Sequence, residues 1–196
     1  SKFGPNNRFA NFPSVAVAWR LSSEEFMKNL DFLYTLKLRA SVGVSGNESI
    51  FNYLFVPTMG TSLYYFNNGF PATGYAPDRI GNDDLRWEST RQIDIGLDAA
   101  FYEGRISFTT DYYNKFTYDM LYYAEVPYTS GFSTAMTNVG SMVNNGFEFT
   151  LNTANLVNAF KWNTDLSFST NKSRITDLNN NDATYISDDE YKLKIG

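Results

Sequence analysis

Apolar and polar residues alternate along six separate stretches of the chain. Successive side chains of a β-strand point to opposite faces, so each stretch predicts a strand with one apolar and one polar side. The first sets Val15, Val17, Trp19 and Leu21 against Ser14, Ala16, Ala18 and Arg20. The second sets Leu36, Leu38, Ala40, Val42 and Val44 against Lys37, Arg39, Ser41, Gly43 and Ser45. In the third, Ile93, Ile95, Leu97, Ala99 and Phe101 oppose Gln92, Asp94, Gly96, Asp98 and Ala100, and in the fourth Ile106, Phe108, Thr110 and Tyr112 oppose Ser107, Thr109, Asp111 and Tyr113. The fifth has Phe147, Phe149 and Leu151 against Glu148, Thr150 and Asn152. The last has Trp162, Thr164, Leu166, Phe168 and Thr170 against Asn163, Asp165, Ser167, Ser169 and Asn171.

Alternation alone fits a soluble sandwich as well as a membrane barrel, because both expose one face to water. Connection lengths separate them. The third and fourth strands join through Tyr102-Glu103-Gly104-Arg105, and the fifth and sixth through roughly Ala154 to Ala159. About forty residues separate the second from the third, and more than twenty the fourth from the fifth. Bacterial barrels alternate short periplasmic turns with long extracellular loops in this way, whereas long structureless connections are uncommon in compact soluble domains. Between the first two strands, Ser22 as N-cap with Glu25 three residues on predicts a short helix on the periplasmic side. Trp19, Phe101, Tyr102, Phe160 and Trp162 all fall at the short-turn ends, where barrels carry interfacial aromatic girdles.

Composition narrows the function classes. The 196 residues are 17% aromatic, with no histidine and no cysteine, which removes Ser-His and Cys-His catalysis, the commonest zinc sites and any disulfide framework. A net charge of −5 argues against nucleic acid as partner. No run of about 18 apolar residues is present, which excludes a membrane-spanning helix but not spanning strands. Nor does the stretch Ser1-Lys2-Phe3-Gly4-Pro5 have the layout of a signal peptide.

Several ordered stretches resemble the SusC/RagA family of TonB-dependent outer-membrane transporters. They are Asn7-Arg8-Phe9, Phe12-Pro13-Ser14-Val15, Ala18-Trp19-Arg20-Leu21, Leu36 to Gly43 and Gly46-Asn47. The likeness continues through Asp84-Leu85-Arg86-Trp87-Glu88-Ser89-Thr90, Ile95-Gly96-Leu97-Asp98, Asp111-Tyr112-Tyr113 and Thr129-Ser130-Gly131-Phe132, then Asn138-Val139-Gly140-Ser141-Met142 and Asn145 to Phe149. It covers essentially the whole chain. The resemblance implies an all-β fold: an antiparallel transmembrane segment, residues 1–196, of a barrel roughly 22 strands around. It implies import of glycans, oligosaccharides or peptides across the outer membrane, with a SusD-like surface lipoprotein, the TonB complex and outer-membrane lipid as partners. The plug and the TonB-binding segment of the family have no counterpart among these residues. The other expectation is a secreted all-β carbohydrate-binding module, which would remain soluble without detergent.

On the barrel reading the polar faces are lumen-facing, with a basic stripe of Arg20, Lys37 and Arg39 beside an acidic one of Asp94, Asp98, Asp111, Glu148 and Asp165. Each stripe is expected to be solvated in the lumen or to meet charges on a plug. The carboxylates also raise glycosidase chemistry, which needs two carboxyls about 5–9.5 Å apart, but a non-catalytic lumen lining without cofactor is the reading adopted. The long loops carry Phe51, Tyr53, Phe55, Tyr64, Tyr65, Phe66, Phe70 and Tyr75 in one and Tyr118, Tyr122, Tyr123, Tyr128 and Phe132 in the other. Of these, Tyr64, Tyr65, Phe70, Tyr122, Tyr123 and Tyr128 are expected to touch ligand or lipoprotein lid, as aromatic platforms do. Asp177 to Asp182 begins like a calcium loop, but Asp182 stands where an EF-hand needs glycine and Asp188 where it needs a bidentate glutamate, so a solvated loop is expected. Asn47-Glu48-Ser49 and Asn171-Lys172-Ser173 match the glycosylation pattern without clear meaning here.

Overall fold

A computed structural model describes residues 1–65 and 69–178, together with the backbone of two short strands at 185–187 and 192–194. In chain order the strands are β1 (Ser14–Arg20), β2 (Leu33–Asn47), β3 (Thr58–Tyr65), β4 (Pro71–Arg79), β5 (Glu88–Phe101) and β6 (Ile106–Tyr118). They continue as β7 (Leu121–Glu125), β8 (Thr134–Asn138), β9 (Ser141–Val157), β10 (Lys161–Asp177), β11 (Tyr185–Ser187) and β12 (Lys192–Lys194).

The six alternating stretches are β1, β2, β5, β6, β9 and β10, and they form one antiparallel sheet in that order. Register carries each face from strand to strand. Trp19 pairs with Leu38, Leu38 with Leu97, Leu97 with Thr110, Thr110 with Phe149, and Phe149 with Phe168. The neighbouring row on the opposite face runs Ala18, Arg39, Gly96, Asp111, Glu148, Ser169. A slip of one residue at any pair would exchange the faces, so the shared alternation fixes the register.

Among the described residues no second sheet covers the apolar face. Val17 is 66% exposed, Ile95 56%, Leu166 53% and Phe168 57%. Each such side chain left in water forgoes roughly 1.5–3 kcal/mol of burial, so this face requires an apolar surrounding. In the secreted sandwich expectation two such apolar faces would meet in a core, an arrangement the described residues do not form. The buried cluster lies elsewhere, in the loops, where Phe3, Leu54, Leu85 and Met136 pack with Ile50, Phe55, Trp87 and Leu121 around them.

Three features differ from the sequence expectation. The helix foreseen after β1 is a pair of 3₁₀ turns, Leu21–Ser23 and Glu25–Met27, with no side-chain cap from Ser22. Arg20 and Lys37 are direct cross-strand partners, so the chain has only to reverse onto its neighbour, and the Trp19 indole occupies Glu24 by donating to its Oε1 at 2.8 Å. Second, both long connections contain hairpins, β3–β4 and β7–β8. Third, β9 and β10 run on through Val157 and from Lys161, leaving only residues 158–160 as the turn. The calcium-like segment from residue 179 onward, and Phe66, lie outside the described residues.

Candidate functional site

Arg39 organises the polar face. Its Nε donates to Asp98 Oδ2 at 2.8 Å and its Nη2 to Asp98 Oδ1 at 3.0 Å, a bidentate pairing of the planar fork with one carboxylate. The same Nη2 lies 2.9 Å from Asp111 Oδ1 on the next strand. The reach from β2 to β6 is open because Gly96 stands between them; a Cβ there would come within 2.7 Å of Arg39 Nη2 and clash with the Asp111 carboxylate. Thr109 Oγ1 donates to Asp98 Oδ1 at 3.2 Å, and Lys37 Nζ stands 4.0 Å from Oδ2. With 30–37% of these side chains exposed, an isolated pair contributes little, about 0–1 kcal/mol, and it is the shared guanidinium that makes a unit of them.

The remaining charged positions divide by environment. Asp94 accepts from Ser41 Oγ at 3.1 Å and from Gln92 Nε2 at 2.7 Å. Arg20 lies beside Lys37, Glu148 between Asp111 and Ser169, and Asp165 opposite Asn152. Among the described residues these three make no ion pair. The basic and acidic stripes therefore neutralise each other where β2, β5 and β6 adjoin, leaving Arg20, Glu148 and Asp165 available to other charges. No group of three or more metal-ligating side chains occurs among the described residues.

At the long-loop end, backbone and side chains knit the two connections together. Asn138 Nδ2 donates to Arg86 O at 2.7 Å and Asp119 O at 2.8 Å, while its Oδ1 accepts from Arg86 N at 2.9 Å. Arg86 Nη2 donates to Asp119 Oδ1 at 2.7 Å, and that hydrogen bond, opposed by burial, holds the guanidinium above its ordinary range. Asn82 Nδ2 reaches Met136 O at 3.0 Å, and Glu88 accepts from the Leu121 amide and from Asn47 Nδ2. The segment before β1 joins them: Phe3 and Phe12 pack on Trp87 with centroids 5.0 and 5.5 Å apart. This junction was not foreseen as a site, although Arg86 and Asn138 both lie in stretches that carry the family likeness.

Phe55 packs against the buried cluster, whereas the six aromatics expected at ligand or lid are not part of it. Tyr64 and Tyr65 close β3, Phe70 precedes β4, Tyr122 and Tyr123 lie on β7, and Tyr128 follows in a 3₁₀ turn. Tyr65, Phe70 and Tyr128 are 72%, 78% and 89% exposed and pack little against the described parts of the loops. Tyr123, 46% exposed, joins Phe51, Lys2 and Met136 around an open cavity of about 330 Å³, and Tyr122 is half-buried.

Residues 1–196 match the family model described as "TonB dependent receptor-like, beta-barrel". A TonB-dependent receptor of Formosa agariphila is 40% identical over 182 residues, covering 91% of this chain and 18% of that protein. The TonB-dependent receptor SusC of Bacteroides thetaiotaomicron is 33% identical over 201 residues, covering 100% of this chain and 20% of its own length. Among solved structures, that of the RagAB peptide importer in the closed-closed state superposes with a TM-score of 0.88 at 32% identity, covering 100% of this chain and 21% of that one. The chain thus spans about a fifth of the length of the relatives it matches.

Proposed function

The chain belongs to the TonB-dependent receptor-like β-barrel family, whose members lie in the outer membrane, and we propose that it forms six strands and the extracellular loops of a nutrient importer. The observation that carries this is a single up-and-down sheet whose apolar face is left exposed by the described residues, while its polar face is cross-linked by charge. All of residues 1–196 belong to the barrel domain in this reading, and the plug and TonB-binding segment come from the rest of the protein. The polar face lines the lumen, so Arg20, Lys37, Arg39, Asp94, Asp98, Asp111, Glu148 and Asp165 border the passage. The role is conduit and platform, not catalysis.

The exposed tyrosines and phenylalanines of the two hairpins support contact with an oligomeric nutrient, whether glycan, oligosaccharide or peptide, and with a SusD-like lipoprotein lid. A large rigid ring supplies contact area at small entropic cost in either setting. The test is to isolate the full-length protein from outer membrane in detergent and map it by mass spectrometry. Plug peptides and a co-purifying lipoprotein support the reading; a detergent-independent species confined to 196 residues removes it. In the same preparation, Asp94→Ala with Asp98→Ala is expected to leave assembly intact while changing plug retention or uptake. Wild-type values for both would show that this stretch of wall does not meet the plug.

A further inference from the structure

The outward positions of the six strands carry a charge pattern that the import function leaves unused. Following register from strand to strand, that face holds Val, Leu, Ile, Ala, Phe, Trp, Tyr, Thr, Ser and Asn side chains and only the charges of Arg91, Lys172 and Arg174. All three are cations, in a chain with 21 acidic and 16 basic residues. The opposite face mixes both signs, as Arg39, Asp98 and Asp111 show. Sign selection confined to one face is not explained by solubility.

Position sharpens the point. Arg91, Phe116, Val143 and Arg174 form one cross-strand row at the long-loop end, and the next row down is Ile93, Asn114, Asn145 and Lys172. Below them the outward face is without charge as far as Trp19, Phe101 and Trp162 at the short-turn end. One border of the apolar band is thus aromatic and the other cationic. Arg91, Lys172 and Arg174 are exposed, and none makes an ion pair among the described residues. Arg91 is propped by Phe116, its Cζ 5.8 Å from the ring centroid, which keeps the guanidinium at the rim. Three strand spacings put the Arg91 and Arg174 backbones about 14 Å apart, room for two anionic groups side by side.

We propose that Arg91, Lys172 and Arg174 form a ledge that binds the phosphate-bearing headgroups of outer-leaflet lipid. The inference rests on the barrel reading, which directs this face to lipid and the long-loop end outward. Long basic side chains at the edge of an apolar band extend to the headgroup level, and each adds attraction for an anionic lipid surface. Asn114 and Asn145 in the lower row supply neutral donors between the cations.

The test uses the full-length protein in non-ionic detergent, with bound lipid read by native mass spectrometry after addition of bisphosphorylated lipid A or its dephosphorylated form. The wild type is expected to retain the phosphorylated lipid preferentially, and R91Q/K172Q/R174Q to lose about tenfold or more of that preference. R91K/K172R/R174K should keep it, and Lys115→Gln, on the polar face, should leave it unchanged. Equal retention by wild type and the triple Gln variant overturns the ledge, as does displacement of the lipid by millimolar inorganic phosphate, which would mark a free-anion site. Should the triple variant fail to assemble, the single Gln variants carry the comparison. Failure of the barrel reading shows separately, as detergent-independent solubility of the wild type.

Discussion

Gly96 lies beneath the guanidinium of Arg39, and the absence of a side chain there is what lets one arginine of β2 hold carboxylates on both β5 and β6. Glycine ordinarily weakens a strand, so alanine at an uncrowded site would stabilise it. Here a Cβ would sit 2.7 Å from Arg39 Nη2, and the neighbour that must yield is the centre of the cluster. Gly96→Ala is expected to destabilise by about 1–3 kcal/mol, seen as a lower temperature for loss of the compact, heat-modifiable band on gels. The loss should shrink when Asp111 is also Ala, and an undiminished loss would place the strain elsewhere.

Arg39→Gln removes the cation that Asp98 and Asp111 share across Gly96, with Lys37, 4.0 Å from Asp98, the nearest remaining cation. The expected cost is about 1–3 kcal/mol by the same assay, larger than for an isolated surface pair because two carboxylates lose one partner. Adding Asp98→Asn should recover part of it. If the double variant is no better than the single, mutual repulsion is not the cause.

The two faces should differ in tolerance to charge. Leu97→Arg and Leu166→Arg place a cation on the apolar face, at a cost of roughly 2–4 kcal/mol at mid-bilayer, and should impair assembly. Asp98→Arg is a poor inward comparison, since it would set a third cation against Arg39 and Lys37. Asp165→Arg, at a polar-face position without an ion pair among the described residues, should assemble close to wild type. Assembly yields that are the same for Leu166→Arg and Asp165→Arg would mean that β10 does not face lipid on one side only.

Asn138 ties β8 to Arg86 and Asp119 by three hydrogen bonds. Asn138→Ala leaves the Arg86 amide and two carbonyls without that partner, a loss of about 1–3 kcal/mol confined to the loops. Limited proteolysis should then cut faster in the β7–β8 hairpin while the wall keeps its heat-modifiable band. A cleavage rate equal to wild type would show that the apolar cluster alone holds the hairpin.

The wall was legible because spanning strands exposed to lipid on one side and water on the other must alternate, and β1, β2, β5, β6, β9 and β10 do so over most of their length. The hairpins were not. The β3–β4 ribbon is mostly exposed, its half-buried alternate positions in β4 are the small Ala72, Gly74 and Ala76, and Pro71 and Pro77 argue against a strand on local grounds. The alternation is enough to place the charges opposite the apolar row, but not to pair them, since Arg39 meets Asp111 only through a register that brings Gly96 between them. Arg86 and Asn138 are separated by 52 positions, and no local pattern links them.

The placement of the buried cluster has a temporal meaning. Phe3, Leu54, Leu85 and Met136 come from the segment before β1 and from both long connections, so they are brought together only by the strands between them. Contacts that close such long intervals of chain form after the shorter-range pairings that shorten them. Leu54 and Leu85 share the connection between β2 and β5, but Phe3 and Met136 come from other segments, so the complete cluster is expected to set only once β2 has paired with β5 and β6 with β9. Protection of the Leu85 and Met136 amides from exchange becomes a clock for this part of the molecule, reading the moment at which strands on either side have found their register.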